Sequence, residues 1–279
     1  MRTQEITAKG ILIASKLPDT DYVVNPYIGC AFGCKYCYAS FMGRFIGKSV
    51  QEWGHYTYVK TNAAMLLEKE LRALGPKKRN SRVLLSSVTD PYQYAEKKHE
   101  VTRALLKAFV ADRYPGLVSI LTKSSLVTRD IDLLKSLSSC EVGLTITTTD
   151  DVVCRNLEPC APLASARLAA LRALNEAGLR TYAFVGPILP HFYHRPNLIE
   201  RLFAEIADTG VRSVFVEHIN LKGYIRSRLS SVLKSETSES SDVYSTSCEE
   251  DVRIGLDTII NDSVRRHGLS LRLGQVLAH

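Results

Sequence analysis

Short apolar and β-branched runs alternate with longer amphipathic segments along most of this chain. The short runs are YTYVK (Tyr56 to Lys60), RVLLSS (Arg82 to Ser87), LVSILTK (Leu117 to Lys123), EVGLTITTT (Glu141 to Thr149), RTYAFVG (Arg180 to Gly186) and RSVFVEHI (Arg212 to Ile219). Each predicts a strand. Between them, AAMLLEKELRAL, EVTRALLKAFVAD, RDIDLLKSL, ASARLAALRALNEAG and NLIERLFAEIADTG repeat apolar residues three and four apart. That is the period of a helix with one buried face. Strand then helix, repeated six times, predicts an α/β fold whose parallel strands are joined by right-handed crossovers. The strands are almost continuously apolar, as in a sheet covered on both faces. Six such units can close most of a barrel or form an open doubly wound sheet. From Lys222 the pattern changes. SETSESSDVYSTSCEED is Ser/Thr-rich and acidic and predicts a solvated linker, followed by a terminal helix in EEDVRIGLDTIINDSVRRHG.

In either architecture a site lies at the carboxyl ends of the strands, and polar residues collect there. Ser87, Thr89 and Asp90 follow the second run, and Lys123 with Ser124 ends the third. Thr145, Thr147 and Thr149 end the fourth, Gly186-Pro187 the fifth, and Glu217, His218 and Asn220 the sixth. Any one of them has an ordinary reading as a turn or cap residue. Together they mark one rim.

Composition narrows the class. The chain has 279 residues, 45% hydrophobic and 23% charged, enough for a large core. No apolar run approaches the roughly 20 residues of a membrane span, and MRTQEITAKGILIASKLPDTD lacks a secretory signal pattern. A cytoplasmic protein with no membrane contact is expected. The formal charge of +7 favours a polyanionic partner such as nucleic acid, although GPKKRNSR (Gly75 to Arg82), the densest basic run, reads first as a solvated loop between a helix and a strand. Of seven cysteines, three crowd one loop, while Cys140, Cys154, Cys160 and Cys248 are scattered. In a cytosolic chain such crowding points to metal or redox chemistry, not to a disulfide framework.

The crowded stretch is NPYIGCAFGCKYCYASF, with Cys30, Cys34 and Cys37 spaced Cys-x3-Cys-x2-Cys. Structural zinc takes four closed ligands, usually two separated pairs. A [4Fe–4S] cluster uses one thiolate per iron, so three thiolates leave one iron open to a small molecule. CAFGCKYCY resembles the cluster loop of the radical S-adenosylmethionine superfamily. NPYIGCAFGCKYCYA, SVTDPYQYAE, LTKS, TITTTDD, LEPCAP and VGPILP together resemble its spore photoproduct lyase-like branch, also called DNA repair photolyase-like, over roughly Asn25 to Asn220. The resemblance implies a partial (β/α)6 TIM-like barrel with a C-terminal helical extension. Its divisions would be an N-terminal segment (1–24), the barrel (25–225) and a C-terminal loop and helix closing it (226–279). It also implies a [4Fe–4S] cluster on Cys30, Cys34 and Cys37, and reductive cleavage of S-adenosyl-L-methionine to a 5′-deoxyadenosyl radical that abstracts hydrogen from substrate.

Residue by residue, the resemblance sets Tyr36 and Tyr38 beside the cluster, with Tyr38 against the adenine. Thr89 and Asp90 take the amino and ribose end of the cofactor in place of a Gly-Gly-Glu segment, with Ser87 beside them. Lys123 pairs with the methionine carboxylate, Thr145 or Thr147 reaches the ribose, and Pro187 and Ile188 wall the adenine. The lyase itself has a cysteine that returns hydrogen to the product radical. Ser87 stands at that position here, and a serine O–H bond is too strong for the task. Cys160, after Pro159, becomes the candidate donor, and Tyr38 a candidate catalytic residue. The implied partners are an electron donor such as flavodoxin or ferredoxin, and a nucleic-acid or nucleoside substrate in lyase or modification chemistry. Two alternatives compete: the same chemistry on a small metabolite or peptide, and a non-catalytic metal-binding structural protein.

Overall fold

The computed structural model describes residues 2–233 and 250–278. The acidic linker and Cys248 lie outside the described residues. The main sheet has eight strands in the order β11-β10-β9-β8-β7-β6-β3-β2. They are β2 (Leu12–Ala14), β3 (Tyr22–Val24), β6 (Val83–Leu85), β7 (Val118–Thr122), β8 (Cys140–Thr145), β9 (Arg180–Ile188), β10 (Ser213–His218) and β11 (Ser270–Leu271). All neighbouring pairs are parallel except β2 with β3. Helices Val101–Ala111, Ile131–Ser136, Ala164–Glu176 and Pro196–Asp208 form the connections, within two residues of the periodicity's limits. The architecture is the parallel α/β sheet expected of a partial barrel.

One strand assignment is corrected. Tyr56–Lys60 (β5) does not open the barrel series; it lies between β1 (Arg2–Ile6) and β4 (Tyr27–Ile28) in a separate three-stranded sheet. The place beside β6 belongs to Tyr22–Val24, three residues contributed by the segment before the cysteine loop. Three residues are too few to show a period, and alternation in YTYVK says nothing about which sheet it joins. A further helix, Gly223–Leu233, lies where only a change of pattern was visible.

On β8, β9 and β10 one set of alternate residues (Val142, Leu144, Ala183, Val185, Val214 and Val216) is 0–1% exposed, part of a continuous hydrophobic core. Burying such side chains contributes roughly 1.5–3 kcal/mol each. Glu141, Tyr182 and Phe215 share the other face. Arg272, just past β11, binds Glu141 at 2.8 Å and Asp19, ahead of β3, at 3.1 Å. Its guanidinium also lies 4.9 Å over the Tyr182 ring and 5.0 Å over Phe215. Asp19 pairs in turn with Arg82 at the start of the β6 run. One arginine thus joins residues ahead of β3 to residues past β11, where among the described residues no strand-to-strand hydrogen bonds do so. Glu141 is buried and would keep only Ser119 at 2.9 Å and the largely exposed Arg180 at 3.6 Å, so removing Arg272 leaves its charge poorly matched. Arg272→Met is expected to lower stability by about 2–3 kcal/mol, read as a fall in the urea midpoint. An unchanged midpoint would show that this bridge carries no weight.

Candidate active site

The three cysteines sit on the loop that leaves β4. Gly29 opens it at φ +82°, and a Cβ there would lie 2.5 Å from the Tyr56 carbonyl oxygen. Gly33 (φ +63°) turns it against Gly54, close enough that a Cβ on Gly54 would meet the Gly33 Cα at 2.9 Å. Only glycine accepts both the handedness and the approach. The loop makes few internal bonds, such as Gly33 N–H to Cys30 O (3.3 Å) and Cys37 N–H to Cys34 O (3.2 Å). Other segments hold the rest of its backbone, as buried peptide groups require.

Gln93 is the first tether. Its Oε1 accepts from Ala31 N–H (2.8 Å) and Thr57 Oγ1 (2.9 Å), and its Nε2 donates to Gly29 O (3.1 Å) and Thr89 Oγ1 (2.9 Å). Thr89 Oγ1 donates to the same Gly29 carbonyl at 2.6 Å. The TDPYQ motif therefore binds the loop to the end of β6.

The second tether is a buried polar network. Tyr36 OH donates to Glu158, which pairs with Arg167. Both side chains of the pair are fully buried. Thr147 Oγ1 donates to Glu158 at 3.2 Å, the Cys154 thiol reaches it at 3.4 Å, and Arg167 also donates to Thr145 O (3.1 Å) and Pro162 O (2.8 Å). On the same side Lys35 N–H donates to Leu157 O (2.8 Å) and Cys160 N–H to Phe32 O (3.3 Å).

The rim residues fall as follows. Asp90 is buried, and its carboxylate accepts from Thr122 Oγ1 (2.6 Å), Lys123 N–H (2.8 Å) and Tyr92 N–H (2.9 Å). Burial pushes its pKa up, against the pull of those donors. Lys123 places its ammonium 5.7 Å from the Tyr36 ring centre, where its charge also reaches Cys34 and Cys37. Tyr38 is 45% exposed; its hydroxyl donates to Ser87 O and its carbonyl accepts from Tyr224 OH at 3.1 Å. Ser87 is held by Asn25, whose Oδ1 accepts from Ser87 N–H (3.0 Å) and whose Nδ2 reaches Ser87 Oγ (3.4 Å). Thr145, Thr147 and Ile188 are buried and Pro187 is half-buried, joined to Gly186 by a cis peptide. Cys154 is buried within the Glu158 network, Cys160 is exposed, and Cys140 is buried in β8.

Sequence reasoning missed the tethers. Gln93 and Glu158 lay inside quoted motifs without being singled out. Arg167 had a readable signal, since Ala164, Arg167, Ala170, Leu171 and Leu174 form the buried stripe of one helix. An arginine on an apolar stripe calls for a buried carboxylate.

Residues 24–202 match the radical SAM superfamily. The chain belongs to that superfamily. An uncharacterized protein of Methanocaldococcus jannaschii is 41% identical over 186 residues, 67% of each chain. An uncharacterized protein of Mycobacterium tuberculosis is 32% identical over 209 residues, 74% of this chain and 60% of that one. Among solved structures, spore photoproduct lyase complexed with dinucleoside spore photoproduct shares the fold, with a TM-score of 0.69 at 16% identity over 96% of this chain and 81% of that one. Streptococcus suis SuiB bound to S-adenosylmethionine gives 0.52 at 15% identity, over 81% and 48%.

This is therefore an enzyme of the radical SAM class, a family that uses an iron–sulfur cluster and S-adenosylmethionine. The donor set fits an iron–sulfur cluster. Burial pushes the thiols of Cys30, Cys34 and Cys37 above their ordinary pKa, so iron must displace their protons. Among the described residues no three Cys, His, Asp or Glu side chains converge on a single ion. Thiolates on separate irons need not converge so closely. No helix among the described residues is long and apolar enough to cross a membrane.

Glu158→Gln keeps the shape but strands the Arg167 charge. It is expected to lower stability by about 3 kcal/mol, read from chemical denaturation of the cluster-free protein. A loss no larger than that of an exposed pair would mean the network does not hold the loop.

Proposed function

We propose that this radical SAM enzyme holds a [4Fe–4S] cluster on Cys30, Cys34 and Cys37, binds S-adenosyl-L-methionine at the iron left open, and takes hydrogen from a nucleic-acid or nucleoside substrate. The observation that carries this reading is three cysteines on one loop that is pinned by its neighbours, with a cationic rim residue beside it. When bound, the two cofactors supply an electron and a 5′-deoxyadenosyl radical. The chain's task is to bind, orient and exclude water. Lys123 pairs with the methionine carboxylate as a point cation. Asp90 acts chiefly by holding the Lys123 backbone and the turn after Thr89. Tyr36, Tyr38, Thr145, Thr147, Pro187 and Ile188 are assigned to the ribose and adenine, and Cys160, the exposed thiol, to hydrogen return. A flavodoxin- or ferredoxin-type protein supplies the electron.

Two facts support the substrate class: the +7 charge, and a shared fold with a lyase whose structure holds a dinucleoside. A SuiB structure bound to a precursor peptide makes peptide the competing substrate. Following 5′-deoxyadenosine formation with DNA, RNA, nucleosides and peptides in turn separates these readings. Anaerobic reconstitution should give about four irons per chain, lost when Cys30, Cys34 and Cys37 are all replaced by Ala; iron retained by that variant refutes the cluster assignment. Lys123→Ala should weaken cofactor binding at least about tenfold with the cluster intact, and unchanged affinity would remove its assigned role. Cys160→Ala should still form 5′-deoxyadenosine but divert the product to adducts, whereas normal product would place the hydrogen donor elsewhere.

A further inference from the structure

Helix Gly223–Leu233 packs on the cysteine loop and also touches helix Asp151–Leu157. Ile225 and Leu229 bury its inner face at 0% and 1% exposure. Tyr224 donates to Tyr38 O at 3.1 Å and meets Phe41 edge-on, with ring centres 6.4 Å apart. Arg228, 9% exposed, reaches furthest into the loop. Its Nη2 donates to Cys34 O (3.0 Å) and Gly33 O (3.3 Å), its Nε to Lys35 O (3.3 Å), and its Nη1 to Val50 O.

Three successive carbonyls turned toward one guanidinium define the backbone around Cys34. A peptide N–H points away from its own carbonyl, and Lys35 N–H indeed leaves on the far side, to Leu157 O. The loop is thereby clamped between Arg228 and the segment Leu157–Cys160. The planar five-donor fork suits this in a way a lysine ammonium does not. The clamp also places a fixed positive charge against the peptide group of Cys34 and those on either side of it. Away from bulk water, such a charge acts more strongly on its neighbours than at the surface. Nearby charge and hydrogen bonding are the means by which a protein sets an iron–sulfur potential.

Resting on the assignment of Cys30, Cys34 and Cys37 to the cluster, we propose that Arg228 is a positioning residue with two tasks. Its fork shapes the Gly33–Lys35 backbone for iron uptake. Its charge favours the more negative, reduced state of the cluster and so raises the reduction potential. Neither task requires contact with substrate or S-adenosylmethionine. The C-terminal part of the chain thus contributes to the redox centre as well as to the rim.

The test uses full-length protein reconstituted anaerobically, without S-adenosylmethionine, as wild type, Arg228→Lys and Arg228→Gln. Two quantities are read: the rate of iron loss to a chelator, and the midpoint potential from an EPR-monitored redox titration. Both variants lose the fork, so both should lose iron about tenfold faster. Only Arg228→Gln loses the charge, so only its midpoint should move to lower potential. A midpoint in Arg228→Gln equal to wild type overturns the charge-setting task, as does an equal drop in both variants. Should Arg228→Gln hold too little iron to titrate, Arg228→Lys decides alone, and an unchanged rate of iron loss in it overturns the positioning task. A wild-type chain that takes up no iron would instead sink the cluster assignment, an outcome separable from any failure of Arg228.

Discussion

A loop built of turns, carrying two buried cysteines and a half-buried third, cannot satisfy its own peptide groups, and the arrangement around the site follows from that. The Gly29–Cys37 stretch has neither helix nor strand, yet burying an unpaired peptide group costs about 1–3 kcal/mol. Its partners come from three distant parts of the chain: Gln93 after β6, Leu157 with the Glu158–Arg167 pair after β8, and Arg228 beyond β10. Each is buried and each makes several bonds at once. The loop is therefore shaped only when the whole sheet has assembled, which couples the cysteine loop to global folding.

The Glu158–Arg167 pair shows the energetics of such a design. Two desolvated charges contribute little net stability as a pair, whereas an unpaired one is strongly destabilising. The pair's use here is geometric. Glu158 takes the Tyr36 hydroxyl and the Thr147 hydroxyl, while Arg167 takes the Thr145 and Pro162 carbonyls. The residue before the third cysteine is thus tied to the end of β8, and alternative loop conformations would leave a buried charge unmatched. Asp90 works the same way on the other side, aligning Thr122 and Lys123.

Among the described residues β11 and β2 are the end strands of the main sheet. Arg272, with Asp19 and Glu141, spans the gap between the two ends by ion pairs and by contact with the Tyr182 and Phe215 rings. Ser87, proposed to stand where the lyase has its cysteine, is held by Asn25 through its N–H and hydroxyl and by Tyr38 through its carbonyl. An alcohol held in that way is suited to support the Asn25 turn and not to donate a hydrogen atom.

Hydrophobic periodicity was enough to reveal alternating strands and helices, because burying one face of each element is a local requirement repeated along the chain. Spacing was enough to single out Cys30, Cys34 and Cys37, because three thiols in one loop have few uses. Periodicity misplaced the first barrel strand, since Tyr22–Val24 is too short to show a pattern and Tyr56–Lys60 alternates correctly for a different sheet. Motif reading put Asp90 and Thr147 at the site without revealing that their side chains are committed to Thr122, Lys123 and Glu158. Arg228 carried no signal at all, being one of two arginines in a segment whose helix went unrecognised. Hydrogen-bond partners 60 to 195 residues apart are chosen by where the sheet brings them. A one-dimensional pattern records which face each residue buries, and only the tertiary structure decides what it meets there.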